Sequence, residues 1–146
     1  MYDAAGGYEG LLALAHAWHE RCLADPVVAH AFSHGYRADH SERLAAYWGE
    51  ALGGPRTFTE SMADETHVVR LHSGNGPHEE MDRRALAAFV LALDDAGVPD
   101  DERLRRTLTE YFAWGIGYMA RYHESADDVP GGLGLPQWSW GGLVGE

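Results

Sequence analysis

Residues 52–58 read Leu-Gly-Gly-Pro-Arg-Thr-Phe, and this stretch separates two helical regions of the chain. A Gly-Gly-Pro sequence ends a helix, because glycine tolerates the left-handed backbone that closes a helix and proline cannot extend it. The helix before it begins at Asp39, where Glu42 lies three residues on and can complete a capping box. The pattern predicts a helix over residues 39–52, followed by extended or irregular chain at 56–60. The apolar face of this helix consists of Leu44, Tyr47, Trp48, Ala51 and Leu52.

Helical periodicity also covers the chain on both sides of this stretch. The first helix has one apolar face and ends at Asp25-Pro26, where an aspartate cap and a first-turn proline start a short helix to about Phe32. The helix over 78–96 is apolar around much of its circumference, which is typical of a central position. No segment alternates with period two, so the sequence predicts an all-α fold. The predicted helices span 8–24, 26–32, 39–52, 61–72, 78–96 and 100–123, with loops at 33–38 and 73–77.

The composition is that of a single acidic domain, large enough to bury a core. The chain has 146 residues, 45% of them hydrophobic, and no apolar run of the roughly 20 residues that a membrane-spanning helix needs. Its 23 acidic and 11 basic residues give a net charge of −12, which argues against binding to nucleic acid or anionic membranes. All 11 are arginines, so lysine-dependent phosphate loops and Schiff bases are excluded. With one cysteine, Cys22, and no export signal at Met1-Tyr2-Asp3, we expect a cytoplasmic protein without disulfides.

The C-terminal residues differ in composition from the rest of the chain. From Ser125 onward the sequence is rich in glycine and proline, which predicts a flexible tail. Trp138 and Trp140 indicate that part of this tail docks on the body or on a partner. We therefore divide the chain into a domain at 1–124 and an extension at 125–146.

Three of the nine histidines lie where an internal ligand site could form. His72 ends a short helix, one turn after Val68, and the glycine-rich break that follows leaves room for a flat ligand. His40 shares a helix face with Leu44, and His19 lies on the first helix beside a tryptophan. Each also has an ordinary structural interpretation: a cation favoured at a helix C-terminus for His72, a solvated first turn for His40, and a core-edge residue for His19.

Conventional metal and catalytic motifs are absent from the sequence. No His-Glu-x-x-His, paired Glu-x-x-His, Gly-x-Ser-x-Gly or Gly-x-Gly-x-x-Gly motif occurs. The pairs with helical ligand spacing are His30 with His34, across a loop boundary, and His16 with Glu20. Cys22 lies on an apolar helix face, which predicts a core cysteine.

The order of these features resembles the truncated haemoglobins, in particular group II, over about residues 2–124. The resemblance rests on the opening Tyr2-Asp3-Ala4-Ala5-Gly6-Gly7, an aromatic-His-Glu-Arg sequence on the first helix, a short Asp-Pro helix ending in Phe32, the 52–58 stretch, and a histidine before a broad apolar helix. It implies a truncated globin fold, which is a two-over-two helical sandwich around haem b (iron protoporphyrin IX).

The resemblance also implies roles for individual residues. His72 matches the proximal histidine that binds the iron, and Arg43 matches an arginine that reaches a haem propionate. Arg56 and Arg70 are further propionate candidates by charge. The haem pocket would be lined by seven side chains: Phe32, Leu44, Tyr47, Trp48, Val68, Ala85 and Phe89.

Two positions depart from the group II pattern. His19 stands where the family usually has a tyrosine that hydrogen-bonds the bound ligand, and Ala85 stands where group II usually has a tryptophan. The implied substitute is His19 together with His40, which would donate hydrogen bonds to a ligand on the distal side. The alternative is that one of these two histidines ligates the iron directly when no gas is bound. We expect hydrogen bonding.

The sequence thus predicts a haem protein for oxygen binding and transport that also takes NO and CO, with NO dioxygenase or peroxidase-type activity as an extension of that role. Such turnover implies an unidentified reductase. The sequence leaves open whether the protein forms a homodimer. Two other classes stay open: a His-rich helical bundle that binds a non-haem metal, and a helical interaction module that uses its histidines and the tail tryptophans.

Overall fold

The computed structural model describes residues 1–33 and 35–144, and within these the chain is largely helical. Its α-helices are α1 (Gly7–Ala24), α2 (Pro26–Ala29), α3 (His40–Ala51), α4 (Thr57–Ser61), α5 (Glu65–Leu71), α6 (Glu79–Asp95) and α7 (Glu102–Met119). Turns of 3-10 helix cover His30–Phe32 and Ala126–Asp128, and an antiparallel hairpin joins β1 (Trp138–Ser139) to β2 (Gly142–Leu143). The all-α class is confirmed, and the short hairpin was not predicted from the sequence. No helix in this part of the chain has the length and apolarity to cross a bilayer.

The four longest helices form the body as two packed pairs, α1 with α3 and α6 with α7, which are joined through contacts between α1 and α6. Phe89 of α6 stacks on Phe112 of α7 with ring centroids 4.2 Å apart, and Trp48 of α3 packs edge-on against Phe89 at 5.7 Å. Burying a side chain of this size stabilises the fold by roughly 1.5–3 kcal/mol. The surrounding core contains the fully buried Leu11, Leu14, Leu104 and Leu108.

Aspartate caps are predicted at the starts of α2 and α3, and the structure has one of them. Asp25 accepts from the Val27 N–H at 2.9 Å, so the predicted cap before the first-turn proline of α2 is confirmed. The capping box predicted at Asp39 and Glu42 is wrong, because the Asp39 side chain makes no cap hydrogen bond. Its carboxylate is held instead by Arg37, whose Nε donates to Oδ1 at 2.8 Å.

The glycine pair that ends α3 is explained by backbone conformation and by space. Gly53 has a φ of +94°, in the left-handed region that favours glycine. A Cβ atom at Gly54 would lie 2.5 Å from the Tyr2 ring and 2.8 Å from the Gly49 carbonyl oxygen. The two glycines therefore end the helix and let the N-terminal segment pack closely against it.

Two short helices, α4 and α5, follow this turn. The prediction of extended chain at 56–60 is wrong, because Phe58 turns inward on α4 and packs on Tyr47 with ring centroids 5.2 Å apart. Helix α5 then begins after Asp64, whose carboxylate accepts from the His67 N–H at 2.8 Å. Helix α5 is shorter than the sequence predicts and leads directly to His72.

The C-terminal extension packs on the body, whereas its composition predicts a flexible tail. Trp138 lies near Tyr111 and Trp114, with ring centroids 5.8 and 5.5 Å away. Trp140 lies under the Arg103 guanidinium, 4.8 Å from it. The β1–β2 hairpin carries both tryptophans, so a few aromatic contacts hold a segment whose glycine and proline content suggests mobility.

Candidate functional site

Four rings from separate parts of the chain meet between α1 and α3, and we name them the histidine cluster: His19, Phe32, Tyr36 and His40. From the His19 ring, the centroids of Phe32, His40 and Tyr36 lie 5.0, 4.9 and 4.6 Å away. Phe32 and His40 are 5.5 Å apart. His19 is 9% exposed, so most of its ring is covered by these neighbours and by its own helix. The fold therefore brings together three residues, His19, Phe32 and His40, that the sequence predicts to belong to one site.

The imidazoles of the histidine cluster lack hydrogen bonds. Both ring nitrogens of His19 and the Nδ1 atom of His40 are buried and have no hydrogen-bond partner among the described residues. An unpaired buried polar group costs roughly 1–3 kcal/mol. Such atoms indicate a place where a ligand or ordered water supplies the missing partner.

Burial keeps both imidazoles neutral. Desolvation lowers the pKa of His19, and the nearby charge of His16 adds to the effect. Desolvation also lowers the pKa of His40 to about 4, with contributions from the charges of His19 and His72. A neutral imidazole has one N–H donor and one acceptor nitrogen. Each ring can therefore donate one hydrogen bond to a ligand at neutral pH.

His72 follows α5 with one of its ring nitrogens already committed. Its Nδ1 lies 2.8 Å from the Val68 carbonyl oxygen, which can only accept, so Nδ1–H donates and Nε2 carries the lone pair. Desolvation lowers the pKa of His72 although the residue is exposed to solvent.

The predicted pocket residues belong to two apolar groups that share contacts with Trp18. A smaller cluster of Cys22, Val28 and Ala88 has Trp18 packed against it. The main core also contacts Trp18. Five predicted pocket residues lie in or against the main core: Leu44, Tyr47, Trp48, Val68 and Phe89. The other two lie against the smaller cluster: Phe32 and Ala85.

Trp18 lies next to Ala85, one of the predicted pocket residues. Its indole Nε1–H donates to the Ala85 carbonyl oxygen at 3.0 Å. Its ring packs edge-on against Trp48 and Phe112, with centroids 6.3 and 5.4 Å away. An indole from α1 thus occupies space beside the small side chain on α6, and its N–H is committed to the backbone.

The three predicted propionate arginines make no ion pair with a carboxylate of the described residues. Arg43 lies on α3 with its guanidinium 5.7 Å from the centroid of Phe58. Arg56 is exposed at the start of α4. Arg70 is exposed on α5, and its Nη2 donates to the Val129 carbonyl oxygen at 3.4 Å. All three retain donors for an anion, although Arg70 is partly committed to the extension.

Tyr36 and a buried carboxylate network were not predicted from the sequence. Glu65 is 1% exposed and accepts from the Tyr47 hydroxyl at 2.9 Å and from the Tyr118 hydroxyl at 2.7 Å. Burial raises the pKa of Glu65, and these hydrogen bonds oppose the rise. In the sequence, Glu65 is typical of an acid favoured at a helix N-terminus, and Tyr36 lies in a loop without periodicity. Neither residue carries a sequence signal of its contacts.

The described residues do not support a non-haem metal site. Within 1–33 and 35–144, no group of three or more His, Cys, Asp or Glu side chains could hold a metal ion. The predicted core position of Cys22 is confirmed. Burial raises the pKa of its thiol to about 12, so the thiol stays protonated. His34, the predicted partner of His30, lies outside the described residues.

Comparisons with known proteins identify the family. The model of the bacterial-like globin family matches residues 1–114. Among solved structures, the thermostable haemoglobin from the actinobacterium Thermobifida fusca is 29% identical, with 81% of this chain and 94% of that chain covered and a TM-score of 0.66. The group II truncated haemoglobin from Bacillus anthracis is 19% identical, with 84% and 91% covered and a TM-score of 0.69. The truncated oxygen-avid haemoglobin from Bacillus subtilis is 21% identical, with 82% and 98% covered and a TM-score of 0.67. A search of curated protein sequences found no match.

The donor set fits the cofactor of this family. The lone-pair nitrogen of His72 suits iron, the unpaired nitrogens of His19 and His40 suit a polar ligand beside it, and the arginines suit propionates. The apolar side chains of the two clusters suit the faces of a porphyrin. The chain belongs to the bacterial-like globin family, has the truncated haemoglobin fold, and has haem b as its cofactor.

Proposed function

We propose that His72 is the axial ligand of the haem iron and that this oxygen-binding globin takes O₂, NO and CO on the opposite face. Haem b supplies the iron to which such gases bind. The observation that carries the proposal is the hydrogen bond from Nδ1 of His72 to the Val68 carbonyl oxygen, at 2.8 Å. This bond fixes the tautomer and the ring orientation and leaves Nε2 as the ligand atom, as is usual for metal-binding imidazoles.

His19 and His40 are the distal donors in this proposal. Their buried, unpaired ring nitrogens support it, because a polar gas ligand would supply the partner that they lack among the described residues. One N–H donated to a ligand with partial negative charge contributes about 1–1.5 kcal/mol, which is roughly tenfold in affinity. Direct ligation by either histidine predicts a six-coordinate low-spin ferrous spectrum without added gas. We expect the five-coordinate high-spin spectrum instead.

The haem-binding domain is the chain from 1 to 124, with the porphyrin between the apolar side chains and the arginines at its edge. Arg43, Arg56 and Arg70 donate to the propionates, since a guanidinium matches a carboxylate in charge and in geometry. Their lack of carboxylate partners among the described residues supports this assignment. The seven predicted pocket residues line the porphyrin faces, and five of them lie in or against the main core.

Beyond gas binding, we propose that the protein also turns over NO or peroxide. NO dioxygenation combines NO, O₂ and one electron to give nitrate, and peroxide reduction combines H₂O₂ with two electrons and two protons to give water. An unidentified reductase supplies the electrons in both reactions. The neutral distal imidazoles support this chemistry, because the distal pocket decides between storage and activation when the axial ligand is histidine. A single buried cysteine is in keeping with a reducing cytoplasm.

The deciding experiment is the replacement His72→Ala, with His67→Ala as the matched control. Both histidines belong to the same segment, but His67 lies on the exposed side of α5. We expect His72→Ala to abolish stable haem binding and His67→Ala to leave it intact. Absorption spectra of the ferric, ferrous and carbonyl forms measure the outcome. Retention of all three spectra by His72→Ala would show that another residue holds the iron.

A further inference from the structure

The C-terminal extension is hydrogen-bonded to the helix that precedes His72. The Thr66 hydroxyl on α5 donates to the Pro130 carbonyl oxygen at 3.0 Å and accepts from the Leu133 N–H at 3.1 Å. One side chain thus joins two points of the extension. Arg70 adds a third contact to this segment through its 3.4 Å hydrogen bond to a carbonyl oxygen.

The loop that follows His72 is held by the residues directly before the extension. The Gly74 N–H donates to the Tyr122 carbonyl oxygen at 2.9 Å, and the Gly76 N–H donates to the His123 carbonyl oxygen at 2.8 Å. Gly74 has a φ of +76°, and a Cβ atom there would lie 3.4 Å from the backbone of the extension. His72 therefore lies between two anchored points, one before it and one after it.

The contacts come from residues outside the matched family region, and two of the residues that make them are buried. Thr66 is 5% exposed, and Val129 in the extension is 3% exposed. The match to the bacterial-like globin family ends at residue 114. The contacts to His72's neighbours from residues 122–133 therefore lie beyond the region that the family match covers.

We propose that residues 122–133, which we name the proximal strap, are positioning residues that set the orientation of the His72 imidazole relative to the haem. The inference rests on the proposed role of His72 as axial ligand. Holding the chain on both sides of His72 restricts the rotation of α5 and the movement of the following loop. The strap thereby limits the freedom of the iron–histidine bond and slows the loss of haem.

The first test compares Thr66→Val with Thr66→Ser in the haem-loaded, full-length protein. Valine keeps the shape but removes both hydrogen bonds, leaving the Pro130 carbonyl and the Leu133 N–H without their partner, whereas serine keeps the hydroxyl. We expect the iron–histidine stretching band in the ferrous resonance Raman spectrum to broaden and shift in Thr66→Val. We also expect transfer of haem to an apoglobin acceptor to be about tenfold faster. Thr66→Ser should behave as wild type in both measurements.

The second test separates positioning from general stability. Val129→Ala loosens the strap from its own side, and Val98→Ala removes the same groups from a valine that is also buried, at 7% exposure, in the loop after α6. We expect both variants to lose stability, but only Val129→Ala to change the Raman band. An unchanged band in both Thr66→Val and Val129→Ala, with wild-type haem transfer, overturns the inference.

The two proposals can fail separately. If His72→Ala loses haem while the strap variants leave the band unchanged, the axial assignment stands and the strap inference is wrong. If His72→Ala keeps the iron–histidine band, the axial assignment is wrong and the strap inference is overturned with it.

Discussion

Replacing His19 by leucine should stabilise the haem-free protein and weaken the binding of O₂ by the haem-loaded protein. Both His19 ring nitrogens are buried without a partner among the described residues, and leucine is of similar size and needs none. Removing these unpaired atoms gains about 2–3 kcal/mol. The loss of the ring contacts to Phe32, Tyr36 and His40 destabilises the fold by about 1–2 kcal/mol. We therefore expect the free energy of unfolding to rise by about 1 kcal/mol.

The same substitution should speed O₂ release, since leucine cannot donate a hydrogen bond. The loss of one net hydrogen bond corresponds to a roughly tenfold faster release. Urea unfolding of the haem-free protein measures the first effect, and stopped-flow displacement of O₂ measures the second. His16→Leu is the matched control, because His16 lies on the exposed side of the same helix. His16→Leu should change the free energy of unfolding by no more than about 0.5 kcal/mol, and it should change the rate of O₂ release by no more than the factor to which that energy corresponds.

Two results would refute this reasoning, each in a different place. A lower stability of haem-free His19→Leu would mean that the ring nitrogens find partners in solution. An unchanged rate of O₂ release would mean that His19 does not face the ligand, and His40 would then be the sole distal donor of the pair.

Two further predictions concern acid stability and close packing. The folded pKa of His40, about 4, lies below its ordinary value of 6.5, so the unfolded chain binds this proton first as the pH falls. The free energy of unfolding of the haem-free wild type should therefore fall by about 2 kcal/mol between pH 6.5 and pH 4 because of His40, and His40→Leu should not show this loss. Urea titrations at several pH values measure the free energy of unfolding, and equal slopes of this quantity against pH in the two proteins would contradict the prediction. Gly54→Ala should cost about 1–3 kcal/mol, because its Cβ would lie 2.5 Å from the ring of Tyr2. Gly117→Ala, on α7 with nothing within 4 Å of its Cβ, should instead stabilise by about 0.5–1 kcal/mol, and thermal unfolding that orders the two variants oppositely would refute the packing argument.

Sequence patterns predicted helices and their ends where the deciding contact is local. Asp25 caps α2 as predicted, because the hydrogen bond joins residues two apart. The broad apolar face of α6 predicted a central helix, and Phe89 on it is 2% exposed. Asp39 shows the limit of such reasoning, since its side chain could reach either the helix N-terminus or Arg37. The two choices look equally good in the sequence, and the structure has the ion pair.

The candidate site was predictable only in part. Val68 and His72 lie one turn apart, so their spacing alone brought them together. The proximity of His19 to His40 came from the resemblance to truncated haemoglobins, because no spacing rule joins residues on different helices. The contact of Tyr118 with Glu65 joins positions 53 residues apart without a repeating pattern, and only the folded chain reveals it.

In the distal role proposed for them, the two imidazoles have a capacity that a tryptophan in this role lacks. An indole N–H can only donate, whereas a neutral imidazole has both a donor and an acceptor nitrogen. The low pKa of His40, about 4, keeps it neutral at physiological pH, and its ring lies 4.9 Å from that of His19. One ring can then give a proton to a ligand while its second nitrogen takes one up from solvent or from the other ring. Peroxide reduction consumes protons and oxygen storage does not, so this arrangement favours the redox part of the proposed function over storage alone.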